Sequence, residues 1–349
     1  MRIAVVLFNL GGPGSLEAVE PFLFNLFNDP AITRLPQPFR WLLAKLIAMR
    51  RAPTTRAIYA KLGGSSPILG QTYNQASALR TALTDGDKHG DKHYETFVAM
   101  RYTAPRASDV VEQVRRYRPN KIVLLPLYPQ FSTTTSRSSL REWFHEAREN
   151  KLDAPVSTVC CYPNHAGFIT AQAALINEGI AKLPPNVRFR LLFSAHGLPK
   201  RVIAGGDPYQ AQIEQTAKAI AQALGPTHLD WRISYQSRVG PLEWIGPPTD
   251  AEIKRAGEEG LAVVVAPIAF VSEHSETLVE LDMDYGKLAA ESGVLHYIRV
   301  PTVGTHEDFI QGLASLVKEA AARDGVNPAA GVRSCPSSCS QCPLERKHA

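Results

Sequence analysis

The sequence has no apolar run long enough to cross a membrane and no long block of lysine and arginine. A spanning helix needs about 20 apolar residues. The longest apolar candidates, at the amino terminus and at Leu261–Val271, are shorter and read as buried strands. With a formal charge of only +5 over 349 residues, nucleic acid is a poor partner. So mild a positive balance suits an anionic small molecule or an acidic membrane surface. Neither GxGxxG nor a Walker lysine follows the first strand, so nucleotide binding has little support. Cysteine is scarce and odd in number: Cys160, Cys161, Cys335, Cys339 and Cys342, which argues against a disulfide framework. The opening MRIAVVLFNLGGPG carries one arginine and no small-residue cleavage site. It reads as a buried strand rather than a secretory signal, and the expectation is a cytoplasmic protein.

Hydrophobic residues make up 44% and charged residues 20%, enough apolar mass for proper cores. The length suits two domains better than one. Apolar strands are expected at Ile3–Asn9, Glu95–Met100, Lys121–Pro126, Val156–Cys161, Phe189–Ser194, Trp231–Gln236, Leu261–Ile268 and Leu295–Val300. Helical patterns lie between them, at Ser108–Tyr117, Arg137–Glu149, Gly167–Lys182 and Pro208–Leu224. Such alternation predicts an α/β protein of two similar Rossmann-like domains, each a doubly wound parallel sheet. A polar stretch near Asn150–Pro155 places the boundary, giving domains at 1–150 and 151–325 and a cysteine-rich tail at 326–349. Ligands of such sheets bind beyond the carboxyl ends of the strands.

Several chemistry-bearing residues fall at those ends. The first strand runs into Asn9-Leu10-Gly11-Gly12-Pro13-Gly14, a tight turn that lets backbone approach a ligand. His196 follows a buried strand directly, where an imidazole can take up a proton or bind a metal. Downstream, Asp207 and Pro208 have the chemistry of a helix N-terminus. After the most apolar strand, Glu276, Glu280 and Asp284 recur every four residues beside Glu273 and His274. On a helix they share a face, and like charges at that spacing repel. A row so placed can hold a divalent cation or accept protons, or it is a solvated acidic face. Residues 36–51 crowd Phe39, Trp41, Leu42, Leu46, Ile47 and Met49 among Arg40, Lys45, Arg50 and Arg51. That segment is either a buried helix with basic ends or an interfacial lip.

The tail spaces Cys335, Cys339 and Cys342 as C-x₃-C-x₂-C, three ligand-like thiols that need a fourth to bind zinc or an iron–sulfur cluster. Cys160 and Cys161 are the remaining candidates. In a strand their side chains would point to opposite faces, so only one could serve.

Longer segments carry a resemblance. FNLGGPG at 8–14, GGSSPI at 63–68, RYTAP at 101–105, LYPQFSTTTSRSSL at 127–140, LFSAHGLP at 192–199, GDPY at 206–209, YQSRVGPLEWIGPPTD at 235–250 and FVSEHSETLVELDMDY at 270–285 resemble the ferrochelatases, over nearly the whole chain. The resemblance implies insertion of Fe²⁺ into protoporphyrin IX with release of two protons, the porphyrin lying in a cleft between the domains. It implies that His196 and Glu276 form the metal and proton-transfer pair. Glu280, Asp284 and Glu273 would continue a polar path, on a helix that is locally widened. Asn9, Leu10, Arg101, Tyr102, Ser132 and Thr133 match porphyrin-pocket positions, and residues 36–51 would supply the lip and peripheral contact with the inner face of the membrane. Some members hold a [2Fe–2S] cluster on three C-terminal cysteines and one internal cysteine near the YPQ loop. That loop has no cysteine here, so Cys161, or else Cys160, would join Cys335, Cys339 and Cys342. A coproporphyrin chelatase and a non-catalytic porphyrin or haem carrier are the alternative readings.

Overall fold

The structure, a computed structural model, describes residues 1–86, 90–225, 228–238, 240–329, 331, 333 and 335–344. The chain forms two compact units, Met1–Cys161 with Leu313–Gly331, and Tyr162–Gly312 with Val332–Ala349. The second unit thus takes up most of the cysteine tail, part of which lies outside the described residues.

The first unit runs β1 (Arg2–Asn9), α1 (Val19–Phe27), α2 (Phe39–Ala60), α3 (Ile68–Asp85), β2 (His93–Met100), α4 (Ala107–Tyr117), β3 (Lys121–Pro126), α5 (Ser136–Glu149) and β4 (Val156–Val159). The second runs α6 (Ala166–Ile180), β5 (Phe189–His196), α7 (Lys200–Ala204), α8 (Tyr209–Leu224), β6 (Trp231–Gln236), α9 (Thr249–Glu258), β7 (Ala262–Pro267), a π-helix (Glu276–Asp284), α10 (Tyr285–Glu291) and β8 (Tyr297–Arg299). Helix α11 (Glu307–Ala321) begins there and leads back to β9 (Gly325–Asn327) in the first sheet.

Both sheets are parallel, in the orders β2-β1-β3-β4-β9 and β6-β5-β7-β8. Strands β3 and β7 are buried at every residue, as expected where helices cover both faces. In the first unit the valines of α4, Val110, Val111 and Val114, pack with Phe8 and Trp143, whose rings meet edge to face at 5.8 Å. In the second, Leu192, Val263 and Val265 pack against Ile253, Leu281 and Ala289. In each sheet the chain winds first to one side of its opening strand and then to the other. The order therefore reverses beside β1 and beside β5, and such reversal opens a crevice at the strand ends.

Three expectations need correction. The boundary falls at 161/162 rather than near residue 150, because β4 pairs with β3 and belongs to the first sheet. Strand β4 stops at Val159, so Cys160 and Cys161 are not constrained to opposite faces: their sulfurs lie 3.3 Å apart, buried beside Phe131. Strand β9 was not expected, since its three residues start with glycine and form no apolar run. Residues 36–51 do enter a helix, but α2 buries Ala44, Ala48, Ala52 and Tyr59 and leaves Phe39, Trp41, Leu42, Leu46 and Met49 exposed. Among the described residues, no helix is long and apolar enough to cross a membrane.

Candidate active site

The crevice of the second sheet collects the acid–base chemistry. His196 is the last residue of β5, and the loop after β7 leads to His274 and the π-helix. Because β5 and β7 are hydrogen-bonded neighbours, the two segments converge. Nε2 of His196 lies 3.6 Å from Oε1 of Glu276. Nε2 of His274 lies 3.6 Å from Oε2 of the same carboxylate. One carboxylate thus stands between two imidazoles. Nδ1 of His196 is 2.6 Å from the carbonyl of Gly197, a contact that orients the ring with Nε2 toward Glu276.

Burial would raise the Glu276 carboxyl, but the positive charge of His196 and His274, when these are protonated, outweighs it and holds the group at about 2. Glu280 goes the other way: burial first, and the charge of Glu276 second, raise it above its ordinary value. Its carboxylate accepts hydrogen bonds from the backbone N–H (2.8 Å) and hydroxyl of Ser237, from Tyr285 (3.1 Å) and from Gln236 (3.3 Å). Ser237 is held left-handed, at φ 60°, a conformation non-glycine residues adopt rarely. The two carboxyls are thus pushed apart in proton affinity, Glu276 downward and Glu280 upward.

The rest of the acidic row separates by depth. The i→i+5 turns of the π-helix are wider than α-turns, and the row climbs from half-buried Glu276 and Glu280 to exposed Asp284. Glu273 faces a different partner: it accepts from Arg299 at 2.7 Å and from the N–H of Thr302 at 2.9 Å.

In the first unit, the ends of β1 and β2 are stitched together. The N–H of Arg101 donates to the carbonyl of Asn9 (2.9 Å) and that of Tyr102 to Leu10 (3.1 Å). Asn9 is buried and donates to Thr72. The centre of this region is buried Asp29, which accepts from Arg101 (2.8 Å), Tyr102 (2.8 Å) and Ser138. Arg101 also pairs with Glu142 at 3.0 Å. Tyr102 is only 1% exposed and its phenol is committed to Asp29, so it supports Arg101 rather than presenting a surface. Ser132 is likewise buried, bonded to the Thr134 hydroxyl, while Thr133 is half-buried. Thr133 and Arg101 line an open cleft of about 580 Å³ that also exposes Arg34, Arg137, Arg141 and Arg148. Sequence reasoning missed Asp29, whose signal would have been a buried acid near no obvious motif. It also left His274 outside the reacting pair, although the run EHSE was in view.

Cys335, Cys339 and Cys342 are buried together against Ala211 and Leu344. Gln212 donates from Nε2 to the sulfur of Cys335 at 3.0 Å. Among the described residues no group of three or more His, Cys, Asp or Glu is already arranged as a metal cage. The tail offers three buried thiols, one of them accepting an N–H, which is donor chemistry of the kind an iron–sulfur cluster takes; Cys160 and Cys161 pack with Phe131 instead.

A parallel α/β scaffold with a His–Glu–His arrangement at its switch point has the fold of the chelatases. Its fold matches SirB from Bacillus subtilis, solved with Fe³⁺, with a TM-score of 0.53, 12% identity and coverage of 92% of this chain and 96% of that one. At the level of sequence, the ferrochelatase family matches residues 2–321. The chain is 49% identical over 344 residues to the ferrochelatase of Pelagibacter ubique, covering 98% of both. It is 52% identical over 342 residues to that of Phenylobacterium zucineum, again over 98% of each. The chain belongs to the ferrochelatase family and is an enzyme that inserts metal into a porphyrin.

Proposed function

We propose that the protein inserts Fe²⁺ into protoporphyrin IX to give protohaem, with His196 and Glu276 at the reaction centre. The observation that carries the proposal is the pairing of Nε2 of His196 with a Glu276 carboxylate that stays ionised. Metallation strips water from the cation, removes two pyrrole protons and bends the ring toward the metal. Glu276 stabilises the incoming cation by charge. His196 takes the two pyrrole protons one after the other at Nε2 as general base, handing each on before it takes the next, and His274 stands at the other oxygen of the Glu276 carboxylate. Glu280, more ready to bind a proton than an ordinary carboxyl, passes it outward toward exposed Asp284. Glu273, paired with Arg299, stands at the start of this segment as the third acid proposed for the polar path.

The porphyrin contacts proposed for the first unit are Asn9, Leu10, Arg101, Ser132 and Thr133, with Tyr102 and Asp29 behind Arg101. Arginine in this position suits the porphyrin's carboxylates. The exposed apolar face of α2, flanked by Arg40, Lys45, Arg50 and Arg51, supports peripheral contact of a cytoplasmic enzyme with the inner face of the membrane. Cys335, Cys339 and Cys342 would hold three positions of a [2Fe–2S] cluster, whereas Cys161 packs with Cys160 and Phe131 in a different buried group. When bound, such a cluster supplies one-electron chemistry.

An anaerobic assay with Fe²⁺ and protoporphyrin IX, following loss of porphyrin fluorescence, tests the reading. Turnover by the wild-type protein and none by His196→Ala is expected. Turnover with coproporphyrin alone would change the substrate and keep the site. Binding of both porphyrins without turnover of either would make the protein a carrier.

A further inference from the structure

The turn at residues 205–209 is gripped from both ends, by the cysteine tail on one side and by the backbone of His196 on the other. On the tail side, the N–H of Gln341 donates to the carbonyl of Gly206 at 3.0 Å. Gly206 sits at φ +88°, and a Cβ there would come within 2.2 Å of the Ser340 hydroxyl and 3.0 Å of its nitrogen. Only glycine allows so close an approach. Further along, Ala211 packs beneath Cys335, Cys339 and Cys342, and Gln212 donates to the Cys335 sulfur at 3.0 Å. The tail therefore holds this segment before α8 and again inside its first turns.

On the other side stands Tyr209, the first residue of α8. Buried Asp207 fixes the entry to the helix by accepting the N–H of Tyr209 at 3.0 Å. The phenol of Tyr209 donates to the carbonyl of His196 at 3.0 Å. Burial pushes that phenol well above its ordinary range, so it remains a donor at any working pH. The peptide plane it holds is the one joining His196 to Gly197, whose N–H donates to Gln236 at 2.8 Å. Holding both edges of that plane anchors the backbone on which the imidazole is carried and from which the Gly197 carbonyl projects, and Nδ1 of His196 contacts that carbonyl at 2.6 Å. The aim of the imidazole is therefore tied to the position of Tyr209.

We propose that Tyr209 is a positioning residue for His196, and that the docked tail, acting through the 205–209 turn, sets where Tyr209 stands. Catalytic competence then depends on the docked state of the cysteine tail, although none of its residues touches the reacting atoms. The inference rests on the ferrochelatase reading of His196.

The test is a double-mutant cycle in the full-length protein. Tyr209→Phe removes only the hydroxyl. Ser340→Leu fills the space that Gly206 leaves open. Each single variant is expected to lower kcat by about five- to tenfold, the scale of one lost hydrogen bond, with KM for the porphyrin within about twofold of wild type, since ring binding does not use this peptide plane. The double variant is expected to be no worse than the poorer single, because both act along one path. Full kcat in Tyr209→Phe, or effects that multiply, would overturn the proposal. Thiol labelling of Cys339 and Cys342 reports tail docking: a labelled, undocked tail with unchanged kcat would also overturn it. Hydrogen exchange at the Gly197 N–H provides a readout independent of turnover, and faster exchange is expected in both single variants. If the wild-type protein turns over no porphyrin, the ferrochelatase reading fails, while unchanged exchange in the two variants refutes the lever itself.

Discussion

Nε2 of His196 lies 3.6 Å from Oε1 of Glu276, although the two residues belong to separate strand–loop segments. The contact exists because β5 and β7 pair in register, Phe189 to Ala262 through Ser194 to Pro267, so that their carboxyl ends open side by side. Removing the imidazole leaves no base at this position. His196→Ala is expected to lose metallation while still binding the porphyrin. Glu276→Gln keeps the shape and removes the charge, and a fall in kcat of about 10²- to 10⁴-fold is expected, the range for a lost acid–base group. Steady-state kinetics alongside porphyrin titration separate the two effects. A Glu276→Gln enzyme with unchanged kcat would place the metal elsewhere.

All eight strands anticipated from apolar runs are present in the structure, within a few residues at each end. Those runs are legible because strands buried on both faces must be apolar throughout. Pairing of β5 with β7 was only conditional in the sequence, since neighbours in a sheet are set by winding order. The ends of segments were less legible. Val156–Val159 stops short of Cys160 and Cys161, and apolar character does not reveal where a ladder ceases. In the site, His196 and Glu276 stand after strands and could be found there. Asp29 holds Arg101, 72 residues away, and no local pattern marks it; Tyr209 stands in the GDPY segment, but its bond to His196 is not written there.

Ser237 offers a test of the proton route. Its hydroxyl and N–H both stabilise the ionised form of Glu280, against the burial and the neighbouring charge that raise this group. Ser237→Gly preserves the left-handed backbone and the N–H but deletes the hydroxyl. The carboxyl should then bind its proton more tightly still. A proton acceptor that fills at higher pH fails at higher pH, so the acid limb of the kcat–pH profile is expected to move upward. An unmoved limb, or one moved downward, would remove Glu280 from the route.

Arg190, 3% exposed, stands near the start of β5 with Asp230 at 2.9 Å and Glu259 at 2.7 Å. Hydrogen bonds from Arg190 and Arg255, reinforced by their charges, hold the Glu259 carboxyl at about 2. In the unfolded chain it returns to about 4.3. Since the folded value is the lower one, its contribution to stability is present above about pH 4.3 and disappears as pH falls through about 2. Glu259→Gln should therefore melt below the wild-type temperature near neutral pH, with the difference closing as the pH approaches 2. Thermal melts across that range check it, and a difference independent of pH would mean that the ion pair is not what Glu259 supplies.

Gly167 and Gly312 bring the start of α6 against α11 with no side chain between them. A Cβ on Gly167 would stand 2.4 Å from the carbonyl oxygen of Asp308 and 2.9 Å from the Cα of Gly312. Both obstacles are backbone, which cannot turn aside as a flexible side chain would. Helix propensity alone favours alanine over glycine by up to about 1 kcal/mol, whereas forcing a methyl into a closed contact costs about 1–3 kcal/mol. The second effect should win, and Gly167→Ala is expected to lower the melting temperature by a few degrees. The sign of the change decides between them: a higher melting temperature would show that the two helices separate at little cost.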